Sequence, residues 1–235
     1  MIPKVIHYCW FGRNPLPKLA KKCIASWKKF FPDYEIKEWN EDNFDVNIIP
    51  YTREAYAAKK YAFVSDYARF WILYHYGGVY FDTDVEVIKP MDDIIEKGSF
   101  MGLEISGREE TGIIAVNPGL GMASEKDHSV YRVFLDEYEG MSFYDENNKI
   151  NQYSMIPMVS RFFIDSGLEG FNDRIESISG INIFPTDYFN PYDSKMGDLS
   201  ITGNTRTIHW YSASWLSWKD RTLLNIKRRV RSFLK

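Results

Sequence analysis

The stretch VYFDTDV, residues 79–85, decides the fold class that we expect for this chain. It opens with three apolar residues that favour a short buried strand, and two acidic residues, Asp82 and Asp84, follow directly. An Asp-x-Asp pair alone is weak evidence of a site, because turns are rich in Asp. Here the strand carries both carboxylates to the carboxyl edge of a sheet, where open α/β folds bind ligands. Carboxylate oxygens at this edge suit Mg²⁺ or Mn²⁺ bound together with phosphate oxygens.

The segment before this strand predicts the clearest helix of the chain, Tyr61–Tyr76, which Gly77 and Gly78 end. Its large apolar residues recur at steps of three and four: Phe63, Tyr67, Phe70, Trp71 and Tyr74. Asp66 and Arg69 are three residues apart, so they share one face of this helix. A carboxylate and a guanidinium placed together either grip the hydroxyl groups of a sugar or form a surface salt bridge of little energetic value.

Around this centre the sequence predicts one α/β domain with a single, mostly parallel central sheet and flanking helices. The chain opens with a strand within 2–11, a helix over 17–31 and a strand over 34–39, which is a β-α-β unit. Further strands are expected at 85–88, 99–103, 112–116, 181–184 and 207–210, and helices at 129–138 and 154–166. Polar loops are expected near 104–111, 140–152 and 186–205.

Composition places the 235-residue chain among ordinary globular proteins. Hydrophobic residues make up 45% and charged residues 26%, and the net charge is -3, which excludes disordered and fibrous classes. No apolar run is long enough for a membrane helix. The two cysteines, Cys9 and Cys23, are too few for a disulfide framework, so we expect buried thiols. The opening residues lack the pattern of a signal peptide, so we expect a cytoplasmic location.

Residues 219–235 differ from the rest, with seven basic residues and one acid. One helical face of this segment is apolar: Leu223, Ile226, Val230 and Phe233. We therefore divide the chain into a main domain, 1–218, and a basic amphipathic C-terminal helix, 219–235. Such a helix either binds an anionic membrane surface, which would attach the protein to the inner face of a membrane, or docks on the body as a solvated helix. Nucleic acid is not expected as a partner, because the body is acidic and carries no motif for it.

Three segments together resemble glycosyltransferase family 32. They are IPKVIHYCWFG at 2–12, AFVSDYAR at 62–69 and LYHYGGVYFDTD at 73–84. This group has a sugar-binding region containing a DxD motif and includes capsular, lipopolysaccharide and mannosyltransferase-like enzymes. It is also similar to the glucosyltransferase domains of large cytotoxins. The resemblance implies a GT-A fold over residues 1–218 and a divalent metal, Mn²⁺ or Mg²⁺. It also implies a nucleotide-sugar donor, with a UDP-sugar favoured, and a saccharide or lipid-linked oligosaccharide acceptor.

The resemblance implies roles for residues of the three segments. Trp10 matches the position that stacks on the nucleotide base, although a core Trp is the alternative. Asp66 and Arg69 match residues that hold the donor sugar. Asp82 matches the residue that touches ribose and metal, and Asp84 matches the direct metal ligand. Transfer would retain the anomeric configuration, with the acceptor hydroxyl attacking from the side of the leaving diphosphate and no enzymatic nucleophile named.

A further segment, HWYSASW at 209–215, is similar to the metal and diphosphate loop of related enzymes. His209 would ligate the metal, while Ser214 and Trp215 would hold the diphosphate. A structural histidine is the alternative for His209. Weaker candidates for donor or acceptor contacts are Tyr61, Ser65, Glu104 and Asn117, and the resemblance implies a catalytic amide near the anomeric carbon at Gln152. For the two amides, capping and turn roles compete with this function.

Two other functions remain open from the residues. One is a phosphatase of the haloacid dehalogenase type, in which the first Asp of an Asp-x-Asp pair attacks phosphorus. That motif normally opens its fold, whereas here it follows a complete β-α-β unit. The other is a sugar-nucleotide-binding module without turnover, which an intact Asp-x-Asp pair disfavours.

Overall fold

The computed structural model describes residues 1–106, 112–151 and 155–212. Its strands are β1 (Val5–Cys9), β2 (Glu35–Trp39), β3 (Gly78–Tyr80), β4 (Val85–Val87), β5 (Phe100–Ile105), β6 (Ala115–Val116), β7 (Met122–Ser124), β8 (Glu176–Ile178), β9 (Ile181–Phe184) and β10 (Thr207–His209). Its helices are α1 (Lys18–Phe30), α2 (Pro50–Ala57), α3 (Tyr61–Tyr76), α4 (Asp92–Ile95), α5 (Ser129–Glu139), α6 (Met155–Asp165) and α7 (Thr186–Phe189), with a 3-10 turn at Pro118–Leu120.

The central sheet is mixed, with most strands running one way. Its order is β2-β1-β3-β7-β5-β9-β8, and β6 also pairs with β5. The strand pairings give β1, β2, β3, β5 and β9 one direction and β6, β7 and β8 the opposite one. The predicted α/β class and the predominance of one strand direction are confirmed. In addition, β4 and β10 form a separate antiparallel pair that the sequence did not predict.

The junction between α3 and β3 depends on two glycines. The backbone N–H of Gly77 donates to the carbonyl of Leu73 and closes the helix, and Gly77 itself has a φ of 64°. A Cβ on Gly78 would lie 2.7 Å from the carbonyl oxygen of Val5, so only glycine lets β3 approach β1 this closely. The predicted helix over 61–76 and its glycine ending are therefore confirmed.

Helices and loops cover both faces of the sheet. Side chains alternate along the strands, so Tyr80 packs with α2, α3, α5 and α6 on one face, while Val79 and Phe81 pack with α1 and α4 on the other. The two cysteines lie one in each layer, and both are buried free thiols, as expected. In the residues that the model describes, no helix is both long enough and apolar enough to cross a bilayer.

The sequence did not predict α2, α4, α7, β7 and β8. Each has eight residues or fewer, so the hydrophobic period that identifies longer elements has little length in which to appear. The most consequential of these is β7, a three-residue strand that lies between β3 and β5 and runs opposite to both. The main domain was predicted to end at 218 and the basic helix to follow, but residues 213–235 lie outside the described part, so that division stays a prediction.

Trp27 joins α1 to β4 and is fully buried. Its indole N–H donates to the carbonyl of Val85 at 2.8 Å, and its ring packs against Tyr8 and Phe81. Because β4 begins at Val85, directly after Asp84, this contact fixes the backbone next to one of the predicted site residues.

We predict that Trp27→Phe lowers the free energy of unfolding by about 2 kcal/mol, because it removes a donor from a buried carbonyl and leaves unfilled volume. Urea denaturation would measure this. Trp10→Phe is the matched control, since the indole N–H of Trp10 bonds to Asn14 in an exposed position. Equal losses in the two variants would contradict the anchoring role of Trp27.

Candidate active site

The candidate site lies where several strands of one direction end. Trp10 follows β1, Asp82 follows β3 and Glu104 lies near the end of β5, so all three come to the same edge of the sheet. The small sheet adds His209 at the end of β10, paired with Val85 of β4. The predicted placement of the Asp-x-Asp pair at the carboxyl edge is confirmed by this topology.

Arg69 is the centre of a buried charge cluster. Its side chain is 4% exposed, and its Nη2 lies 3.1 Å from Asp66 Oδ1 and 3.1 Å from Asp82 Oδ1. Its Nε donates to the backbone carbonyl of Ser65, and its guanidinium lies 5.1 Å from the centre of the Tyr80 ring. A buried guanidinium needs compensating charge, and the two carboxylates supply more than its own charge. The cluster therefore has a net charge of −1 when both acids are ionised.

The carboxylates of this cluster have altered proton affinities. Burial raises the pKa of Asp66 to about 6; the charge of Arg69 opposes that shift, and the charge of Asp82 adds to it. Burial likewise raises the pKa of Asp82, again against the opposing charge of Arg69. The hydroxyl of Tyr80 donates to Asp82 Oδ1 at 3.2 Å.

Asp84 and His209 form the second charged group of the site. The distance between Asp84 Oδ1 and His209 Nε2 is 3.0 Å, and the backbone N–H of Ser212 donates to Asp84 Oδ2 at 2.7 Å. Burial disfavours the charged form of each, but their mutual attraction outweighs it. The pKa of His209 is therefore raised, and the pKa of Asp84 lies well below its usual range.

The Asp84–His209 pair fits a divalent metal in part. Two adjacent ligands of an octahedral ion at about 2.1 Å are about 3 Å apart, which is the separation found here. Nδ1 of His209 is buried and forms no hydrogen bond within the described residues. Asp82 pairs instead with Arg69, and in the described ranges no three acidic, His or Cys side chains form a cluster that could hold an ion. A metal here would take Asp84 and His209 and complete its shell with oxygens of a ligand or water.

A hydrogen-bond network borders the Asp84–His209 pair, and the sequence analysis named only two of its members, Glu104 and Asn117, as weaker candidates. Glu104 accepts from the hydroxyl of Tyr211 at 3.1 Å and from Asn117 Nδ2 at 3.0 Å. The same hydroxyl lies 2.9 Å from Asn190 Oδ1, so Glu104 and Asn190 share its single proton. The ring of Tyr211 lies 4.1 Å from that of His209. Tyr211 lies in the segment 209–215, but the sequence offered no reason to assign it a role there, and Asn190 lies in a region expected to be a loop.

The model places the remaining predicted residues as follows. Trp10 is half-buried at the end of β1, as a stacking role requires, although that role stays a prediction. The ring of Tyr61 covers the backbone of Gly12, and the hydroxyl of Ser65 bonds back to the carbonyl of Tyr61 within α3. Asn117 caps the 3-10 turn by accepting from the Gly119 N–H, so its expected capping alternative is present. Gln152, Ser214 and Trp215 lie outside the described residues.

A buried Arg–carboxylate cluster beside a carboxylate–imidazole pair, at the carboxyl edge of an α/β sheet, is typical of proteins that bind polar or phosphorylated ligands. A comparison with protein families gives the class. The family described as "Glycosyltransferase sugar-binding region containing DXD motif" matches residues 17–101, so this segment is similar to that family. It contains Asp66, Arg69, Asp82 and Asp84, whereas His209 lies beyond it.

Individual proteins show the same relationship over a limited length. An inositol phosphoceramide mannosyltransferase of Schizosaccharomyces pombe is 34% identical over 111 residues, which cover 43% of this chain and 33% of that protein. The match thus spans about a third of this relative. A solved structure of a glycosyltransferase involved in glycosylation of the PBCV-1 major capsid can be superposed with a TM-score of 0.49 and 10% identity. The superposition covers 95% of this chain and 100% of that one. The galactosyltransferase LgtC covers 94%, with 14% identity and a TM-score of 0.45.

We predict a pH-dependent stability effect of Asp66→Asn. The pKa of Asp66 in the folded chain is about 6, above its ordinary 3.8, so ionisation opposes folding as the pH rises between these values. The variant mimics the protonated acid, and Asp82 still balances Arg69. Its free energy of unfolding should match the wild type at about pH 4 and exceed it by on the order of 2 kcal/mol at about pH 7.5.

Urea denaturation at the two pH values measures this difference. Asp165→Asn, on an exposed aspartate, is the control and should follow the wild type at both. A difference for Asp66→Asn that does not grow with pH would contradict the shifted pKa.

We also predict that Gly119→Ala destabilises the site. A Cβ at this position would lie 2.6 Å from Asp82 Oδ2 and 3.0 Å from Asn117 Oδ1, so the variant should lose about 1–3 kcal/mol of unfolding free energy. Gly203→Ala is the matched control, because nothing lies within 4 Å of a Cβ there. Thermal unfolding of both variants tests this, and identical melting temperatures would show that the site tolerates the added methyl group.

Proposed function

We propose that this chain is a metal-dependent, retaining glycosyltransferase of the GT-A type. It would transfer a hexose or N-acetylhexosamine from a nucleotide sugar to a saccharide or lipid-linked acceptor. The observation that carries the proposal is the position of the Asp84–His209 pair beside the Arg69 cluster, at one sheet edge. The family match over residues 17–101 supports it. Of the five charged residues of the site, all but His209 lie in the matched segment.

The two charged groups would divide the work on the donor. Asp84 and His209 would hold Mn²⁺ or Mg²⁺, and Ser212 N–H keeps the carboxylate of Asp84 oriented toward the imidazole. The bound ion supplies charge that stabilises the departing nucleoside diphosphate. Asp82 would contact the ribose from its place beside Tyr80, and Trp10 would stack on the base.

Asp66 and Arg69 would hold the transferred sugar. Part of the Asp66 side chain is exposed, so its carboxylate can accept hydrogen bonds from sugar hydroxyls. The ion pair with Arg69 fixes the position of that carboxylate. The hydroxyl of the acceptor would attack on the side from which the diphosphate leaves, which retains the anomeric configuration. No described side chain needs to act as a nucleophile in this mechanism.

The relatives guide the choice of substrate. The curated relatives include several named mannosyltransferases of inositol phosphoceramide, so mannose is one transferred sugar that we propose, alongside UDP-linked hexoses. A lipid-linked acceptor would be consistent with synthesis of capsular polysaccharide or lipopolysaccharide at the inner face of a membrane, with the protein in the cytoplasm. The role of the 219–235 helix at that membrane belongs to the same proposal.

The phosphatase alternative is disfavoured by the surroundings of Asp82. A nucleophilic aspartate must present a free oxygen to phosphorus, whereas both oxygens of Asp82 face Arg69 and one also accepts from Tyr80. A binding module without turnover would share all contacts of the site, so an activity measurement separates it from the transferase.

The test is hydrolysis of the donor in the presence of Mn²⁺. Purified protein is incubated with GDP-mannose and with UDP-hexoses, with and without EDTA, and release of nucleoside diphosphate is measured. We expect metal-dependent release with one of these donors. Binding of a nucleotide sugar by calorimetry without any release would instead identify a binding module.

We predict that Asp84→Asn lowers this release by at least about a hundredfold, because it removes one anionic ligand of the ion. Asp165→Asn, which changes an exposed aspartate, should keep wild-type activity. Thermal unfolding of both proteins shows that they are folded. Full metal-dependent activity of Asp84→Asn would overturn the assignment of the metal site.

A further inference from the structure

Charge is strongly segregated along this chain. Residues 1–32 contain seven lysines and arginines and no acidic residue, although the whole chain has a net charge of -3. Five of the seven are lysines of one helix, α1: Lys18, Lys21, Lys22, Lys28 and Lys29. No acidic residue lies in this helix.

The five lysines share one face of α1, which we call the lysine face. With 3.6 residues per turn, they fall within an arc of about 120°. Ala20, Cys23 and Trp27 are buried on the opposite side, against the body of the protein. All five lysines are exposed. From Lys18 to Lys29 the face is about 17 Å long, since a helix rises 1.5 Å per residue.

Most of this charge is not neutralised by the protein. Lys22 pairs with Glu86 at 2.7 Å. In the part of the chain that the structure describes, Lys18, Lys21, Lys28 and Lys29 form no ion pair. Four ammonium groups on one exposed strip are therefore available to an external anionic partner.

We propose that the lysine face docks the protein on an anionic lipid bilayer. A bilayer containing anionic lipids presents a flat array of negative headgroups, which suits a straight row of lysines on a helix that lies along the surface. Lysine is a compact, hydrated point charge, so it adds electrostatic attraction without requiring a shaped pocket. The aromatic rings beside the face are Phe30, next to Lys29, and Trp210, next to Lys22. Both are partly buried against the hydrophobic core, so they are poor platforms for stacking of nucleic-acid bases.

The docked surface would lie next to the candidate active site. Lys22 lies 5.4 Å from the ring of Trp210, and Trp210 follows His209 directly. The indole N–H of Trp210 donates to Glu86, the partner of Lys22. Docking through α1 therefore brings the site to the membrane surface. Only this consequence for a lipid-carried acceptor depends on the proposed function, whereas docking itself does not.

The test measures binding of the full chain to vesicles by co-sedimentation. One set contains phosphatidylcholine and phosphatidylglycerol, and the other contains phosphatidylcholine alone. We expect binding to the anionic set only, weakening as the salt concentration rises. The variant Lys18→Gln/Lys21→Gln/Lys28→Gln/Lys29→Gln should bind on the order of a hundredfold more weakly.

The matched control removes the same charge from other faces, with Lys97→Gln/Lys126→Gln/Lys149→Gln/Lys195→Gln, all at exposed positions. It should keep most of the binding. Equal loss in both variants would overturn the proposal, because net charge alone would then explain binding. Unchanged binding of the α1 variant would also overturn it and assign any attachment to another segment, such as 219–235. Release of nucleoside diphosphate from a soluble donor should be the same in the α1 variant and the wild type, which separates this test from that of the proposed function.

Discussion

The site is organised by the burial of one guanidinium. The charge of Arg69 is compensated inside the protein by carboxylates from two different elements, Asp66 of α3 and Asp82 of the turn after β3. The position of α3 over the sheet and the conformation of the Asp-x-Asp turn are thereby linked by charge. If either acid is removed, the other carboxylate still balances the charge of Arg69. If Arg69 is removed, two carboxylates lie close together and nothing offsets their mutual repulsion.

The two charged groups of the site differ in kind. The Arg69 cluster is held by direct contacts of 3.1 Å between one buried guanidinium and two partly buried carboxylates, and it carries an excess negative charge when both acids are ionised. The Asp84–His209 pair is neutral in total when the imidazole is protonated, and a bound cation would take the place of that proton. A divalent ion therefore suits the second group better than the first, since Arg69 already occupies the position that a cation would take between Asp66 and Asp82.

Much of this arrangement could be predicted from the sequence because it rests on local patterns. The helical period of α3, the glycines that end it and the acidic pair after β3 are contiguous, and α3 was predicted with its observed bounds. Asp66, Arg69, Asp82 and Asp84 follow from that one stretch. The network of Glu104, Asn117, Asn190 and Tyr211 could not be predicted in the same way, since its members come from four separated segments. The three-residue strand β7 was missed because so short a segment has no measurable period.

The antiparallel pair of β4 and β10 has a consequence for the order of folding. It joins Asp84 to His209 across most of the described chain, so the pair forms a contact of very high sequence separation. Contacts of this kind form late, because closing a long loop costs entropy that only the later packing offsets. During synthesis, the α3–β3 half of the site is made long before the β10 half leaves the ribosome. An incompletely made chain therefore contains Asp66, Arg69, Asp82 and Asp84 but lacks the imidazole of His209. Under the proposed metal role, affinity for a divalent ion would then report that the last described strand is in place.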